Sequence, residues 1–208
     1  MSVLDKLAHA QGRRDEVPNQ ELAKELAANR DDEGIKAIID GLNHKERNIQ
    51  NDCIKVAYEI GYIAPELIAA YADEFIALLT SRNNRLVWGA MIALSTIAPQ
   101  KADDLFQHKE TILKAFESGS VITQDSGIKT LAVIAHQDEN YRRDLFPILL
   151  DHLETCHPKY LPNRAAMVVD AVDPGNRQSF INVIESRKIH LKPSQLKRLN
   201  KVLRDLQG

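Results

Sequence analysis

The sequence predicts an all-α protein, an α-solenoid of about five helix pairs with an N-terminal helix and a C-terminal capping helix, expected to coil as a right-handed superhelix. Three observations carry this. A short motif recurs: Ile60-Gly-Tyr-Ile-Ala-Pro65, Leu94-Ser-Thr-Ile-Ala-Pro99, Leu131-Ala-Val-Ile-Ala135 and a degenerate Val169-Asp-Ala-Val-Asp-Pro174, which put Ile or Val at 63, 97, 134 and 172, at spacings of 34, 37 and 38. A second series, Ile76, Ile112, Ile148 and Ile184, repeats every 36 residues. Around both, apolar residues fall three and four apart, as in Val87, Met91, Leu94 and Ile97. That is helical periodicity, and two interleaved series of one mean period imply a repeated helix pair. Val, Ile and Thr nowhere form the clean alternation of a strand.

The elements follow in order. An amphipathic helix is expected at 2–10, then a linker at 11–17 carrying Gly12 and four charges. Pair one is placed at 18–29 and 32–42, entered through Asp31-Asp32-Glu33, acids suited to the positive end of a helix. Pair two runs at 46–63 and 65–80, pair three at 84–98 and 100–117. Pro65 and Pro99 stand at the start of a second helix, where the missing N–H has no intrahelical acceptor to lose. Pair four falls at 121–136 and 139–155, pair five at 159–172 and 175–188. Asn83-Asn84, Ser118-Gly-Ser120 and His157-Pro158 mark the returns. The last helix, at 194–206, has Leu196, Leu199, Leu203 and Leu206 on one side and Lys197, Arg198, Lys201 and Arg204 on the others, as a terminal cap requires. The chain is thus expected to form one repeat domain over 1–208, with repeats near 18–44, 45–82, 83–119, 120–157 and 158–190 and a cap at 193–207.

Asn84-Arg-Leu-Val-Trp-Gly-Ala-Met-Ile-Ala-Leu-Ser-Thr-Ile-Ala98 resembles the first helix of a HEAT-like or armadillo-like repeat. The matching positions are Leu86, Ala90, Ala93, Leu94, Ser95 and Ile97; Val87 stands where such repeats usually carry Arg. The resemblance covers about residues 20 to 190. It implies stacking, because one helix pair cannot bury its apolar face alone. Small residues such as Gly61, Gly89, Ala90, Ala93 and Gly127 would let stacked helices approach closely.

Composition narrows the function classes. Of 208 residues, 44% are hydrophobic and 5% aromatic, and 27 Lys and Arg nearly balance 29 Asp and Glu. A packed core is expected, with no strong net field to announce nucleic acid or an anionic membrane. The two cysteines, Cys53 and Cys156, lie about a hundred residues apart, and the N-terminus lacks the apolar core of a secretory signal, so a reduced cytoplasmic setting is expected. The apolar stretch at 86–98 falls short of the roughly 20 residues needed to span a bilayer. No Gly-rich phosphate loop, paired-cysteine, zinc-protease or serine-nucleophile motif occurs. No catalytic residue, cofactor or metal is therefore assigned. His152, Cys156 and His157 come nearest to a metal cluster but lack a fourth ligand. Cys53 reads as a small core residue and Trp88, the sole tryptophan, as packing rather than a stacking platform.

Two features point toward partners. Residues 176–208 hold eight Lys or Arg against two acids, whereas 1–175 hold nineteen against twenty-seven. This asymmetry suits a solvated cap, and it leaves nucleic acid open as a ligand of the basic C-terminal third. The 36-residue register is more informative. If Ile76, Ile112, Ile148 and Ile184 point to the core, residues two before and two after lie about 200° round each helix. In HEAT-like solenoids the second helices line the concave surface, so Glu74, Leu78, Glu110, Lys114, Phe146 and Leu150 are expected to form a partner-binding row there, with Phe146 and Leu150 as an apolar spot. The expected function is a non-enzymatic scaffold for a protein or peptide. The resemblance also leaves room for two rivals, a HEAT-like DNA glycosylase and a HEAT-like lyase or maturation subunit.

Overall fold

The computed structural model describes residues 2–206, and its regular structure is helical throughout, with no strand among the described residues. The chain divides into two compact units, the first running through Gly127 and the second beginning at Ile128.

The first unit contains α1 (Val17–Asn29), α2 (Asp32–Asp40), α3 (Arg47–Ile63), α4 (Ala72–Leu78), α5 (Asn84–Gln107), α6 (Lys109–Ser118) and the opening turns of α7 (Val121–Gln137). Local chemistry sets their ends. Arg30 closes α1 in the left-handed region at φ 46°. The Asp31 carboxylate caps α2 by accepting from the Gly34 amide at 2.9 Å, and Asn83 caps α5 by accepting from the Arg85 amide at 3.2 Å. Helix α3 packs on both α1 and α5, and α4 packs on α5. The approach of α3 to α5 is close enough that a Cβ on Gly89 would stand 2.5 Å from Cγ1 of Ile54. Ile38, Ile54, Ile60, Phe75, Met91, Leu94 and Ile97 fill the core, and each is fully buried.

The second unit holds the remainder of α7 with α8 (Glu139–Thr155), α9 (Leu161–Val168), α10 (Arg177–Arg187) and α11 (Pro193–Asp205). Helix α8 packs on α9 and α10, and α9 packs on α11. Leu145, Leu149, Leu153, Leu161, Val168, Phe180 and Ile184 are buried between them. Arg187 closes the C-terminus of α8 by donating to the Cys156 carbonyl at 2.6 Å. On α11, Leu199 and Leu203 are buried, Leu196 half-buried, and Lys197, Arg198, Lys201 and Arg204 exposed; Leu206, which caps its end, is half-buried.

Several elements differ from the sequence expectation, each for a local reason. The N-terminal helix is only a 3-10 turn, Val3–Lys6, capped by Ser2. The second helix of pair two does not start at Pro65. The ring of Pro65 forces Ala64 out of the helical region, to φ −147° and ψ 76°, and two 3-10 turns, Pro65–Leu67 and Ala69–Tyr71, precede α4. Pro99 lies inside α5, which continues past it with non-helical angles at Lys101 and ends at Gln107. In α8, Ile148 is half-buried and Leu149 takes the core position, flanked one turn each way by Leu145 and Leu153. Of the recurring Ile, Ile97 and Ile134 are buried whereas Ile63, the last residue of α3, is half exposed.

Candidate functional site

The register shift in α8 decides the fate of the apolar spot. With the buried face centred on Leu149, Phe146 lies only about 60° from its centre. Phe146 is accordingly 6% exposed, a core residue rather than an open anchor, and Leu150 is half-buried. In the first unit, Glu74, Glu110 and Lys114 are exposed and Leu78 is half-buried. Glu110 and Lys114 meet Leu79 and Thr80 around a shallow hollow of about 310 Å³.

A denser constellation lies on the first helices of the same unit. Lys55, Tyr58, Glu59 and Tyr62 stand at i, i+3, i+4 and i+7 of α3, a single stripe. Arg85 and Trp88, also three apart, open α5 beside it. Tyr58 lies with its ring centroid 6.0 Å from those of both Tyr62 and Trp88. The Lys55 ammonium sits 4.9 Å from the Tyr58 centroid and the Arg85 guanidinium 5.3 Å from that of Trp88, both within cation–π range. Tyr62 is 57% exposed and Ile63 50%, so the array ends in an open aromatic and aliphatic edge.

Charges knit this face together. The Lys55 side chain, 6% exposed, donates to Glu59 at 2.7 Å and pairs with Glu16 at 2.9 Å. Arg85 pairs with the other oxygen of Glu16 at 2.5 Å. Burial alone would lower the Lys55 pKa, but the hydrogen bonds with Glu59, Tyr58 and Glu16 outweigh it and raise the pKa above the ordinary lysine value. A raised pKa favours the protonated amine, which here holds the two carboxylates. Burial likewise works against the charge on Glu16, yet the hydrogen bonds from Lys55 and Arg85 hold its pKa below the usual value. Burial raises Tyr58 and Tyr62 as phenols, keeping them neutral.

Glu16 reaches these cations from the segment joining the N-terminal turn to α1. Leu7 and Ala8 are buried, and buried Asn19 bridges the Ala8 amide (2.9 Å) and Asp52 (2.8 Å). From His9 to Asp15 every residue is exposed, with Gly12 turning the chain at φ 69°. This strap, α3 and Arg85 of α5 line an open polar cavity of about 530 Å³, whose other lining residues include Arg13, Arg14, Asn48, Asn51 and Asp52.

The row expected on the second helices does not include this face. Its signal was present: polar and aromatic residues at helical spacing opposite the apolar stripe of α3, with Arg85 and Trp88 one repeat on. Trp88 is half-buried and belongs to the array. Cys53 is fully buried, and burial, with Asp52 nearby, pushes its thiol up to about 12. His152 contacts the buried Arg164 through Nε2 at 2.7 Å. Among the described residues no group of three or more His, Cys, Asp or Glu is placed to hold a metal ion, and no helix is long and apolar enough to cross a membrane.

Comparison with solved structures bears on the fold. A designed armadillo repeat protein, solved in complex with a (KR)4 peptide, is similar at a TM-score of 0.68 and 13% identity, over 90% of this chain and 86% of that one. An engineered protein is similar at a TM-score of 0.65 and 17% identity, over 100% of this chain and 97% of that one. A triple mutant of Kap121p is similar at a TM-score of 0.65 and 18% identity, over 96% of this chain and 22% of its own. No family model and no curated protein matches the sequence. The chain therefore has the armadillo- and HEAT-like helical-repeat fold, an all-α solenoid.

Proposed function

We propose that the chain is a non-enzymatic scaffold that binds a protein or peptide partner, and that the partner lies along the first-helix face of the first unit, over Tyr62, Ile63 and Trp88, with buried Tyr58 supporting them from beneath. The observation that carries this reading is the open edge of Tyr62 and Ile63 continuing an aromatic array whose cations are fixed from behind. Aromatic residues presented on rigid helices offer large contact area at small entropic cost, and exposed apolar residues rimmed by charge mark interaction sites. The designed armadillo repeat protein in complex with a peptide supports peptide binding as a use of this fold.

The part of the expected second-helix row that lies in the first unit, Glu74, Leu78, Glu110 and Lys114, remains a competing proposal, favoured by the hollow that Glu110 and Lys114 line. Affinity capture with quantified recovery separates the two. Tyr62→Asp, an exposed change, is expected to remove the partner at unchanged thermal midpoint while Lys114→Glu retains it. The reverse pattern would move the site to the second helices. A nucleic-acid reading rests on the exposed Lys192, Lys197, Arg198, Lys201 and Arg204 of the second unit. Duplex DNA binding with a steep salt slope, lost on reversing Lys197 and Lys201, would support it.

A further inference from the structure

We infer that Lys55 and Arg85 form a receptor for a carboxylate of the partner, and that the chain's own Glu16 occupies this receptor in the free protein. The inference rests on the reading of the first-helix face as the partner surface and adds the partner's chemistry, an acidic segment.

Four observations carry it. A carboxylate is already bound there, with one oxygen of Glu16 on Lys55 at 2.9 Å and the other on Arg85 at 2.5 Å. The two cations do not depend on Glu16 for their position. Lys55 keeps Glu59 at 2.7 Å and the Tyr58 ring, and Arg85 keeps the Trp88 ring. Glu16 is itself replaceable. Its side chain is 42% exposed, and it comes from a strap with no buried residue between His9 and Asp15. An incoming carboxylate would restore the same two ion pairs while Glu16 returned to water, so the exchange strands no buried charge. Finally, the cavity of about 530 Å³ beside the receptor has room for residues flanking that carboxylate. Its carboxylates are already engaged, Asp15 by Arg13 and Asp52 by Asn19 and the His9 amide. The amide group of Asn51, whose oxygen accepts from Asn83 at 2.9 Å, can donate to an anion there, as can exposed Arg14.

The test uses the full chain and a hexaglutamate peptide, read by the fluorescence of Trp88, the sole tryptophan and part of the site. Glu16→Gln removes the internal competitor and is expected to tighten hexaglutamate binding about tenfold, since the receptor is then fully available. Arg85→Gln is expected to abolish that gain, and a hexalysine peptide to bind no better to Glu16→Gln than to the unaltered chain. Peptides with free and amidated C-termini distinguish the source of the carboxylate. Loss on amidation places it at the chain terminus, and indifference places it on side chains; both outcomes support the receptor. Unchanged or weaker hexaglutamate binding by Glu16→Gln, at a thermal midpoint showing a folded protein, would overturn it. If at the same time Tyr62→Asp still abolishes partner capture, the carboxylate receptor fails and the partner face stands.

Discussion

At the residue scale, Phe146 and Glu16 make opposite predictions. Phe146 sits in the core of the second unit, so Phe146→Ala is expected to cost about 3–5 kcal/mol of unfolding free energy. A urea midpoint equal to that of the unaltered chain would contradict its placement. Glu16 acts through its charge. Its folded pKa lies below the ordinary 4.5, so the stabilisation it contributes is present above that value and lost as the pH falls through the folded pKa. Thermal midpoints of the unaltered chain should therefore drop more steeply below about pH 4.5 than those of Glu16→Gln. Parallel curves would show that the Lys55 and Arg85 pairs contribute nothing. Lys55 has the opposite sign: its raised pKa gives stability that is complete below the ordinary 10.5 and lost as the pH rises through the folded value.

At the scale of elements, the helix pairs were legible because apolar spacing and repeat period are properties of the sequence alone. Their ends were less so. Pro65 reads as a helix start by local rules, but its effect on Ala64 opened two 3-10 turns, while an equivalent Pro99 was absorbed into α5. The expected exposure of Phe146 is not found because a 36-residue register extrapolates one helix's rotation to the next, and α8 is turned so that Leu149, not Ile148, faces inward. The aromatic face escaped because its members come from the strap, α3 and α5, and only packing brings Glu16 to Arg85, 69 positions away. The contact of α3 with α5 gives a sharp element-level prediction. Alanine is the better helix former by about 1 kcal/mol, yet Gly89→Ala would press a methyl against fully buried Ile54, and a net loss of about 1–3 kcal/mol is expected. A stabilised variant would mean that the two helices separate without cost.

At the scale of the whole molecule, the repeat fold recurs in structures less than 20% identical to this chain, which is what a stack of interchangeable helix pairs allows. Fold of this kind supplies a rigid surface and leaves the choice of ligand to the side chains displayed on it. Under the proposed function that display is the face of α3 and the start of α5. Hydrogen–deuterium exchange of the full chain with and without its captured partner tests this most directly. The account predicts partner-dependent protection of residues 55–63 and 85–92, with 109–118 unchanged; protection confined to 109–118 or to the second unit would contradict it.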